Sequence, residues 1–264
     1  MTFQIDDAGM AVARRINRRY GEGSATFISV DLAEPNQVRS AAKTIKAEHL
    51  VIDILINNAG ARNDEYRPTS NGHELTFACN HLGHFLLTCL LLDRLIAAPA
   101  ARIITISSDN HGAVPKDGDW ELPRERYDRR AAYARSKMAN IVFSSELARR
   151  LRETRITANV YVPGGVASGF ARNNGLSSWL KHVLSHLLKR DLSTPGAAAS
   201  GLVKLACEPG FKKTTGRYVH RSGDLAALST FHMWNDSAAL WAASILKTEL
   251  NEDNATDVWP LIKP

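Results

Sequence analysis

A tyrosine and a lysine four residues apart, Tyr133 and Lys137, lie in the segment AAYARSKMAN. On a helix this spacing puts both side chains on one face. A tyrosine hydroxyl titrates at about pH 10, so alone it is a poor acid or base near neutral pH. A neighbouring ammonium favours the phenolate and lowers that pKa, which would let the tyrosine exchange a proton with a carbonyl or alcohol oxygen. The pair decides nothing by itself, because the spacing also arises by chance.

Two further polar residues stand where they could assist such a proton transfer. Ser108 follows a predicted buried strand, and its hydroxyl could hold the same substrate oxygen as charge develops there. Ordinary turn chemistry also explains a serine at that position. Asn80 lies in a predicted helix, where asparagine is a mediocre helix former. Its amide could support a proton relay through a water or a backbone carbonyl, or it could simply be an exposed polar residue.

Short β-branched runs that alternate with longer helical patterns must position these residues. The predicted strands are 25–32, 51–56, 101–107, 155–162 and 216–220. The predicted helices are 35–48, 72–97, 131–152, 195–207 and 237–250. This alternation is typical of an α/β fold with a doubly wound, Rossmann-like parallel sheet. No linker, repeat or low-complexity segment divides the chain, so we expect residues 1–264 to form a single domain.

Small or polar residues follow the predicted strands, and ligands of such sheets bind beyond the carboxyl ends of the strands. Asp31 could accept a hydrogen bond from an adenine amino group, or it could cap the helix that begins near Pro35. In the NNAG segment, asparagine side chains such as Asn57 can tie neighbouring strands, and Gly60 permits close approach of a ligand. The Pro-Gly-Gly segment at 163–165 makes a sharp turn directly after a predicted strand, and its backbone can face a flat ring.

Composition limits the classes of protein and partner. The chain has 33 Lys and Arg residues against 27 Asp and Glu residues, a net charge of +6. Its basic clusters contain interspersed acidic residues and accompany no nucleic-acid-binding motif, so we interpret them as solvated helix faces and expect no nucleic-acid partner. No run of 18 or more apolar residues predicts a membrane span, and the N-terminus lacks the pattern of a signal peptide.

The cysteines and histidines argue against disulfides and metals. The three cysteines have no CxxC spacing, which argues against a disulfide framework and a zinc site and favours buried thiols in a reducing compartment, hence a cytoplasmic protein. His81 and His84 have a spacing that metal ligands use, but no third ligand is placed nearby. We therefore expect no metal site.

Taken together, these motifs resemble the short-chain dehydrogenase/reductase family, and their sequences are most similar to its retinol-dehydrogenase-like branch. The similarity rests on NNAG, NHLGHFLLT, RIITISSDNH, AAYARSKMANIVFSSELARRL and ITANVYVPGGV, and it covers roughly residues 8–250. It implies a catalytic tetrad of Asn80, Ser108, Tyr133 and Lys137. Tyr133 would then be the proton donor or acceptor, Ser108 would orient the substrate oxygen, and Asn80 would hold a relay water. Lys137 would lower the pKa of Tyr133 and bind the nicotinamide ribose.

The resemblance also implies a cofactor, NAD or NADP, and hydride transfer to or from a carbonyl or alcohol. The residues that would bind the cofactor are Asp31, Asn57, Ala59, Gly60, Tyr133, Lys137, Pro163, Gly164, Val166 and Ser168. The segment between Pro163 and Pro195 stands where the family places its substrate lid. An apolar stripe there, formed by residues from Trp179 to Leu187, suggests a hydrophobic small-molecule substrate, although core packing explains it equally well. A homo-oligomer is compatible with the sequence.

The family's glycine-rich TGxxxGxG turn, which cradles the pyrophosphate at a helix N-terminus, does not occur in this sequence. We therefore expect a Rossmann-like fold that is incomplete at its N-terminus, with MTFQID as a remnant of the second strand. Asp6 or Asp7 near its end would suit the ribose of NAD. The segment VIDILI should lack one neighbour in the sheet.

Three explanations follow for the missing turn. The sequence could begin at an internal methionine of a longer protein, which is the explanation we favour, or the sheet could pair again around the gap. The third explanation makes the protein a cofactor-free binding or regulatory protein on the same scaffold, and this is the alternative function.

Overall fold

A computed structural model of the protein describes residues 3–166 and 192–264, which fall in two compact units, Met1–Asp31 and Leu32–Pro264. The first unit begins with helix α1, Phe3–Tyr20. Asp6 lies in its first turn and Arg18 and Arg19 in its last turn, as the helix dipole favours. The prediction of a strand at the N-terminus is therefore wrong, because this segment is rich in the helix formers alanine and arginine. The single-domain organisation stays a prediction.

The predicted strand 25–32 is also wrong, because the segment pairs with no strand in the described parts of the chain. A strand needs a neighbour for its backbone hydrogen bonds. Within the first unit, the side-chain amide of Asn17 bonds both the N–H and the carbonyl of Ala25, at 2.7 and 3.0 Å. Phe27 packs on Gly9 so closely that a Cβ there would lie 2.1 Å from its ring. Side-chain contacts thus replace a β-ladder.

The second unit contains a five-stranded sheet in the order β1-β2-β3-β6-β7, and a separate pair of short parallel strands, β4 and β5. The first four strands of the sheet are parallel and β7 is antiparallel to β6. This parallel α/β sheet confirms the predicted Rossmann-like fold class. The strands are β1 (Ile54–Asn57), β2 (Arg102–Ile106), β3 (Thr157–Val162), β4 (Gly165–Val166), β5 (Leu192–Ser193), β6 (Arg217–His220) and β7 (Leu225–Ala227).

The register brings the carboxyl ends of the parallel strands to one edge, since Asn57 is opposite Thr105 and Ile106 is opposite Tyr161. All of β3 is buried, so the core lies around the middle of the sheet. Among the described strands β1 is at the border of the sheet, where Ile54 and Ile56 are 39% and 40% exposed. In the described parts of the chain, the VIDILI segment has one neighbouring strand, β2.

The helices of the second unit are α2 (Pro35–Glu48), α3 (Leu75–Phe77), a π-helical turn (Ala78–Leu82), α4 (Gly83–Leu90), α5 (Leu92–Ile96), α6 (Arg129–Arg150), α7 (Pro195–Cys207), α8 (Trp234–Lys247) and α9 (Trp259–Ile262). Short 3₁₀ turns occur at Arg124–Arg126, Pro209–Phe211, Leu228–Thr230 and Thr256–Val258. Within residues 3–166 and 192–264 no helix combines the length and apolarity that a membrane span requires.

Most predicted helices are confirmed, two of them to the residue: α2 and α7, each of which has proline in its first turn. Helix α6 begins at Arg129 because the Asp128 carboxylate accepts hydrogen bonds from two backbone N–H groups of the first turn. The single helix predicted over 72–97 is wrong. Glu74 caps a later start, the π-helical turn follows, and the chain leaves helical geometry at Leu91.

Candidate active site

Tyr133 and Ser108 meet in the structure, where their side chains form a hydrogen bond. Ser108 lies just beyond the carboxyl end of β2, and Tyr133 lies in the second turn of α6. Both residues are half-buried, so the hydroxyl pair is shielded without being sealed from solvent. Two hydroxyls that share one edge of the sheet can hold a single substrate oxygen between them.

Lys137 lies on the same face of α6 as Tyr133, as its spacing predicted, with its Nζ 5.8 Å from the centre of the tyrosine ring. It is buried, and its ammonium donates a hydrogen bond to the carbonyl of Ile106 at 3.2 Å. Burial lowers the pKa of Lys137 to about 8. The Ser107 hydroxyl donates to the Lys137 carbonyl at 2.8 Å and fastens this turn of α6 to the end of β2.

The electrostatics of Tyr133 differ from the prediction. Burial raises the pKa of its hydroxyl, and the Asp109 carboxylate adds to that effect. The hydrogen bond with Ser108 and the positive charge of Arg62 act in the opposite direction. The expectation that Lys137 brings the pKa of Tyr133 below its ordinary value is therefore wrong for this structure, because desolvation outweighs the favourable charges.

Asn80 is completely buried in the π-helical turn, so its interpretation as an exposed residue is wrong. Its Oδ1 accepts from the Ala61 N–H at 2.7 Å, and its Nδ2 donates to the Ala61 carbonyl at 2.9 Å and to the Ser136 hydroxyl at 2.9 Å. The Ser136 hydroxyl donates in turn to the Tyr133 carbonyl at 2.8 Å. Asn80 thus joins the loop after β1 to the helix that carries Tyr133, and π-helical turns often occur at functional sites.

Asn57 is buried at the end of β1 and faces protein atoms. Its Nδ2 donates to the hydroxyls of Thr88 at 2.9 Å and Thr105 at 3.4 Å, which confirms the predicted tie to a neighbouring strand. Its Oδ1 has no hydrogen-bond partner among the described residues. A role of Asn57 in binding the cofactor stays a prediction.

The other predicted cofactor residues lie in the loop after β1, in the turn after β3 and on β4. Ala59 is exposed and Gly60 half-buried in the loop after β1. Pro163 is half-buried, and Gly164 has a φ of 67°, the left-handed conformation that the predicted sharp turn requires. Val166 lies on β4 and is paired with Ser193.

Two predictions for cofactor residues have other outcomes. Ser168 falls outside the described residues, as does the apolar stripe from Trp179 to Leu187. Asp31 is exposed at the end of the first unit, and its alternative as a helix cap is wrong because Glu34 is the N-cap residue of α2.

The two histidines of the NHLGHF segment bind protein groups. The Nε2 of His81 hydrogen-bonds the Ser244 hydroxyl at 2.8 Å, and the Nδ1 of His84 donates to the Asn80 carbonyl at 2.9 Å. Burial lowers their pKa values to about 3 and about 4, so both are neutral at physiological pH. Within the described residues no three His, Cys, Asp or Glu side chains are grouped as metal ligands.

Sequence reasoning missed Arg62, Asp109 and Ser136. Ser136 is three residues after Tyr133 and therefore shares its helix face, a signal that was available. Arg62 lies two residues after the NNAG segment, and Asp109 directly follows Ser107 and Ser108. Only the fold shows that the charges of Arg62 and Asp109 act on Tyr133.

The residues at this edge fit the nicotinamide end of a dinucleotide. The buried ammonium of Lys137 has three N–H donors, and its bond to the Ile106 carbonyl uses one. The remaining donors suit the hydroxyls of a ribose, and the left-handed Gly164 has no side chain to obstruct the approach of a flat ring. The sequence contains no glycine-rich turn for the pyrophosphate.

Comparisons with known proteins show which family the chain belongs to. The family model described as short chain dehydrogenase matches residues 3–178. Mouse retinol dehydrogenase 14 is 35% identical over 197 residues, which cover 75% of this chain and 59% of that protein. Human retinol dehydrogenase 12 is 38% identical over 192 residues, which cover 72% and 58%. The chain thus spans about three fifths of the length of these curated relatives.

A solved structure also resembles the protein. It is a blue fluorescent protein from a metagenomic library in complex with NADPH, with a TM-score of 0.61 and 25% identity, and the match covers 82% of this chain and 81% of that one. The parallel sheet, the site at its carboxyl edge and these similarities lead to one conclusion. The chain belongs to the short-chain dehydrogenase family, in its retinol-dehydrogenase-like branch.

Proposed function

We propose that the protein is an NAD(P)-dependent oxidoreductase that interconverts a carbonyl compound and its alcohol. The observation that carries the proposal is the hydrogen-bonded pair of Tyr133 and Ser108 beside the buried ammonium of Lys137. A proton donor, an oxygen-orienting hydroxyl and a cation at one edge of the sheet are what carbonyl reduction needs from a protein.

In the direction of reduction, the hydroxyls of Tyr133 and Ser108 donate hydrogen bonds to the substrate carbonyl oxygen. When bound, NAD(P)H supplies the hydride that adds to the carbonyl carbon. Negative charge then develops on the oxygen, and Tyr133 delivers its proton there. Lys137 would hold the ribose and, with its ammonium 5.8 Å from the ring centre, would favour the resulting phenolate. Asn80 keeps the loop after β1 in place through Ala61.

We propose a hydrophobic aldehyde or alcohol as the substrate. The names of the relatives, retinol dehydrogenases 14 and 12, support this class because retinol is a long apolar alcohol. The NADPH in the blue fluorescent protein complex supports the nicotinamide cofactor. Turnover of a short, a long and a retinoid aldehyde (propanal, decanal and retinal) measures the preference, and faster turnover of propanal would contradict it.

The cofactor and the role of Tyr133 are tested together on the full product of the gene. NADH and NADPH are titrated by fluorescence against the wild type and Tyr133→Phe, with Tyr20→Phe as a control because Tyr20 is 68% exposed. We expect Tyr133→Phe to retain nucleotide binding and to lose about 100-fold or more in kcat/KM. If neither NADH nor NADPH binds the wild type, the proposal is overturned and a cofactor-free binding protein is favoured.

A cytoplasmic location and a homo-oligomeric state also remain proposals. Cys79, Cys89 and Cys207 form no disulfide with one another, which supports a reducing compartment. Cell fractionation tests the location. Light scattering tests the oligomeric state.

A further inference from the structure

Asn140 is a completely buried residue of α6 that shares a hydrogen-bond acceptor with Lys137. Its Nδ2 donates to the Ile106 carbonyl at 3.3 Å, and the Lys137 ammonium donates to the same carbonyl at 3.2 Å. Two residues three positions apart on a helix have neighbouring side chains, so both reach the end of β2 together. The carbonyl that anchors the ammonium is therefore itself held by a neutral amide.

A histidine from another element orients this amide. His81, completely buried in the π-helical turn, lies with its Nδ1 3.4 Å from the Oδ1 of Asn140. An amide oxygen can only accept a hydrogen bond, so the ring donates to Oδ1 and Nδ2 is left to face the Ile106 carbonyl. The Nε2 of His81 hydrogen-bonds the Ser244 hydroxyl on α8 at 2.8 Å, which holds the ring from its other side.

The π-helical turn thus holds α6 at two successive points. Asn80 donates to the Ser136 hydroxyl at 2.9 Å, and the next residue, His81, bonds Asn140. Positions 136 and 140 are about one helical turn apart and therefore share a face of α6. Lys137 lies between them in the sequence, so the turn of the helix that carries the ammonium is fixed at both of its ends.

Other titratable groups face Lys137 from three elements. Tyr133, on α6 itself, has its ring centre 5.8 Å from the ammonium. Burial lowers the pKa of Lys137 to about 8, and Cys79, from the π-helical turn, acts in the opposite direction. Burial and, more weakly, the charge of Lys137 lower the pKa of His84, on α4. These groups act on the ammonium through charge, whereas Asn140 acts on the carbonyl to which the ammonium is bonded.

We propose that Asn140, oriented by His81, is a positioning residue for Lys137, because it holds the carbonyl of Ile106 to which the ammonium is anchored. The ammonium then keeps one N–H on this carbonyl and directs its others towards the ribose of the cofactor. The role in nucleotide binding rests on the proposed function. The anchoring of Lys137 is a property of the protein without a ligand.

The first measurement needs no ligand. Urea unfolding of the full product of the gene is followed between pH 8 and 10.5 for Asn140→Asp and for the same variant with Lys137→Met. The carboxylate introduced by Asn140→Asp would lie beside the ammonium and favour its charged form, so the pKa of Lys137 should rise from about 8 towards 10.5. The gain in stability over this pH range, relative to the matching Lys137→Met protein, should therefore be smaller than in the wild type.

Asn159 provides the matched control, because it is also a buried asparagine whose amide bonds two backbone groups. Its Nδ2 donates to the Thr214 carbonyl at 2.7 Å, and its Oδ1 accepts from the Arg217 N–H at 3.1 Å. Asn159→Asp should lower stability and keep the wild-type pH dependence relative to its own Lys137→Met partner.

The second measurement is the Kd of NADH or NADPH at pH 7, obtained by fluorescence. Asn140→Leu removes the amide at nearly constant volume, and the loss of one hydrogen bond that positions the ammonium should raise Kd by about 3- to 10-fold. Asn159→Leu should destabilise the protein and keep the wild-type Kd. Asn140→Ser is the second variant if Asn140→Leu does not fold, as judged by circular dichroism.

An unchanged pH dependence of Lys137 in folded Asn140→Asp would overturn the proposal, and so would a wild-type Kd in folded Asn140→Leu or Asn140→Ser. A rise in Kd for Asn159→Leu equal to that for Asn140→Leu would also overturn it, because the effect would then be general destabilisation. If the wild type binds neither nucleotide while Asn140→Asp shifts the pH dependence, the anchoring of Lys137 is supported and the oxidoreductase function alone is rejected.

Discussion

The side chain of Asn80 holds the backbone of Ala61 from both sides: the Ala61 N–H donates to Oδ1 at 2.7 Å, and Nδ2 donates to the Ala61 carbonyl at 2.9 Å. A side-chain amide can satisfy both polar groups of one peptide residue only in a fixed orientation. The π-helical turn provides that orientation. The residue therefore connects the loop after β1 with the helix that carries Tyr133.

Replacement of Asn80 should loosen this loop. Asn80→Ala leaves buried backbone groups without partners, at about 1–3 kcal/mol for each unsatisfied group. We expect lower stability in urea and faster hydrogen exchange in residues 59–63. Asn80→Asp keeps the acceptor and loses the donors, so it should retain only part of the protection. Asn71→Ala, at an exposed position, is the control. Equal hydrogen exchange in all variants would contradict the proposed role of Asn80 in holding this loop.

Lys137 should make stability depend on pH in alkaline solution. Its pKa falls from 10.5 to about 8 on folding because it is buried, so the unfolded chain binds more protons between these values. Stability should therefore rise as the pH increases from about 8 to 10.5, and the full burial penalty should be present below about pH 8. Lys137→Met removes the penalty, which is on the order of 3 kcal/mol.

The measurement for Lys137 is urea unfolding over that pH range. The difference between the wild type and Lys137→Met should shrink as the pH rises, whereas the exposed Lys43→Met should run parallel to the wild type. If the stability of Lys137→Met runs parallel to that of the wild type over this pH range, Lys137 is not the source of the pH dependence.

Glu121 should make stability depend on pH in acid. Burial raises the pKa of its carboxyl, but the hydrogen bonds of His73 and Lys247, at 3.2 and 2.7 Å, and the charge of Lys247 outweigh burial and lower the pKa from 4.5 to about 2. A lowered pKa stabilises the fold above about pH 4.5, and this contribution is lost as the pH falls towards 2.

Glu121→Gln should therefore be less stable at pH 7 by about 1 to 3 kcal/mol and should have a flatter stability curve between pH 4.5 and 2. Thermal unfolding in a series of buffers measures this. Glu153→Gln is the control, since the Glu153 side chain is 86% exposed. An acid dependence of Glu121→Gln equal to that of the wild type would rule out the carboxylate as its source.

Gly83 lets helix α4 pack against the backbone of Leu32. A Cβ at this position would lie 2.2 Å from the Leu32 carbonyl oxygen, so Gly83→Ala must displace the backbone and should cost about 1–3 kcal/mol. Gly196→Ala is the matched control, because a Cβ on Gly196 meets no atom within 4 Å. Urea unfolding should show a large loss for the first variant and at most about 0.5 kcal/mol for the second. Equal stabilities would mean that the helix shifts freely.

The features that could be predicted from sequence depend on neighbours along the chain. Helices α2 and α7 begin with proline at the first turn, and both of their ends agree with the apolar pattern. The buried strands β2 and β3 are nearly continuous apolar runs, so their positions were predicted within two residues. The segment 25–32 is also rich in β-branched and aromatic residues, but it pairs with no strand in the described parts of the chain and so forms none.

The sequence by itself determined that Tyr133 and Lys137 share a helix face, because helical periodicity is local, and that Ser108 follows a strand. Only the tertiary structure decided how these groups behave. Burial raises the pKa of Tyr133 and lowers that of Lys137, and neither direction can be seen in a spacing of residues. Arg62 and Asp109 act on the tyrosine because separate strands end at one edge of the sheet. Desolvation and charge depend on distance in space, which the order of residues along the chain does not contain.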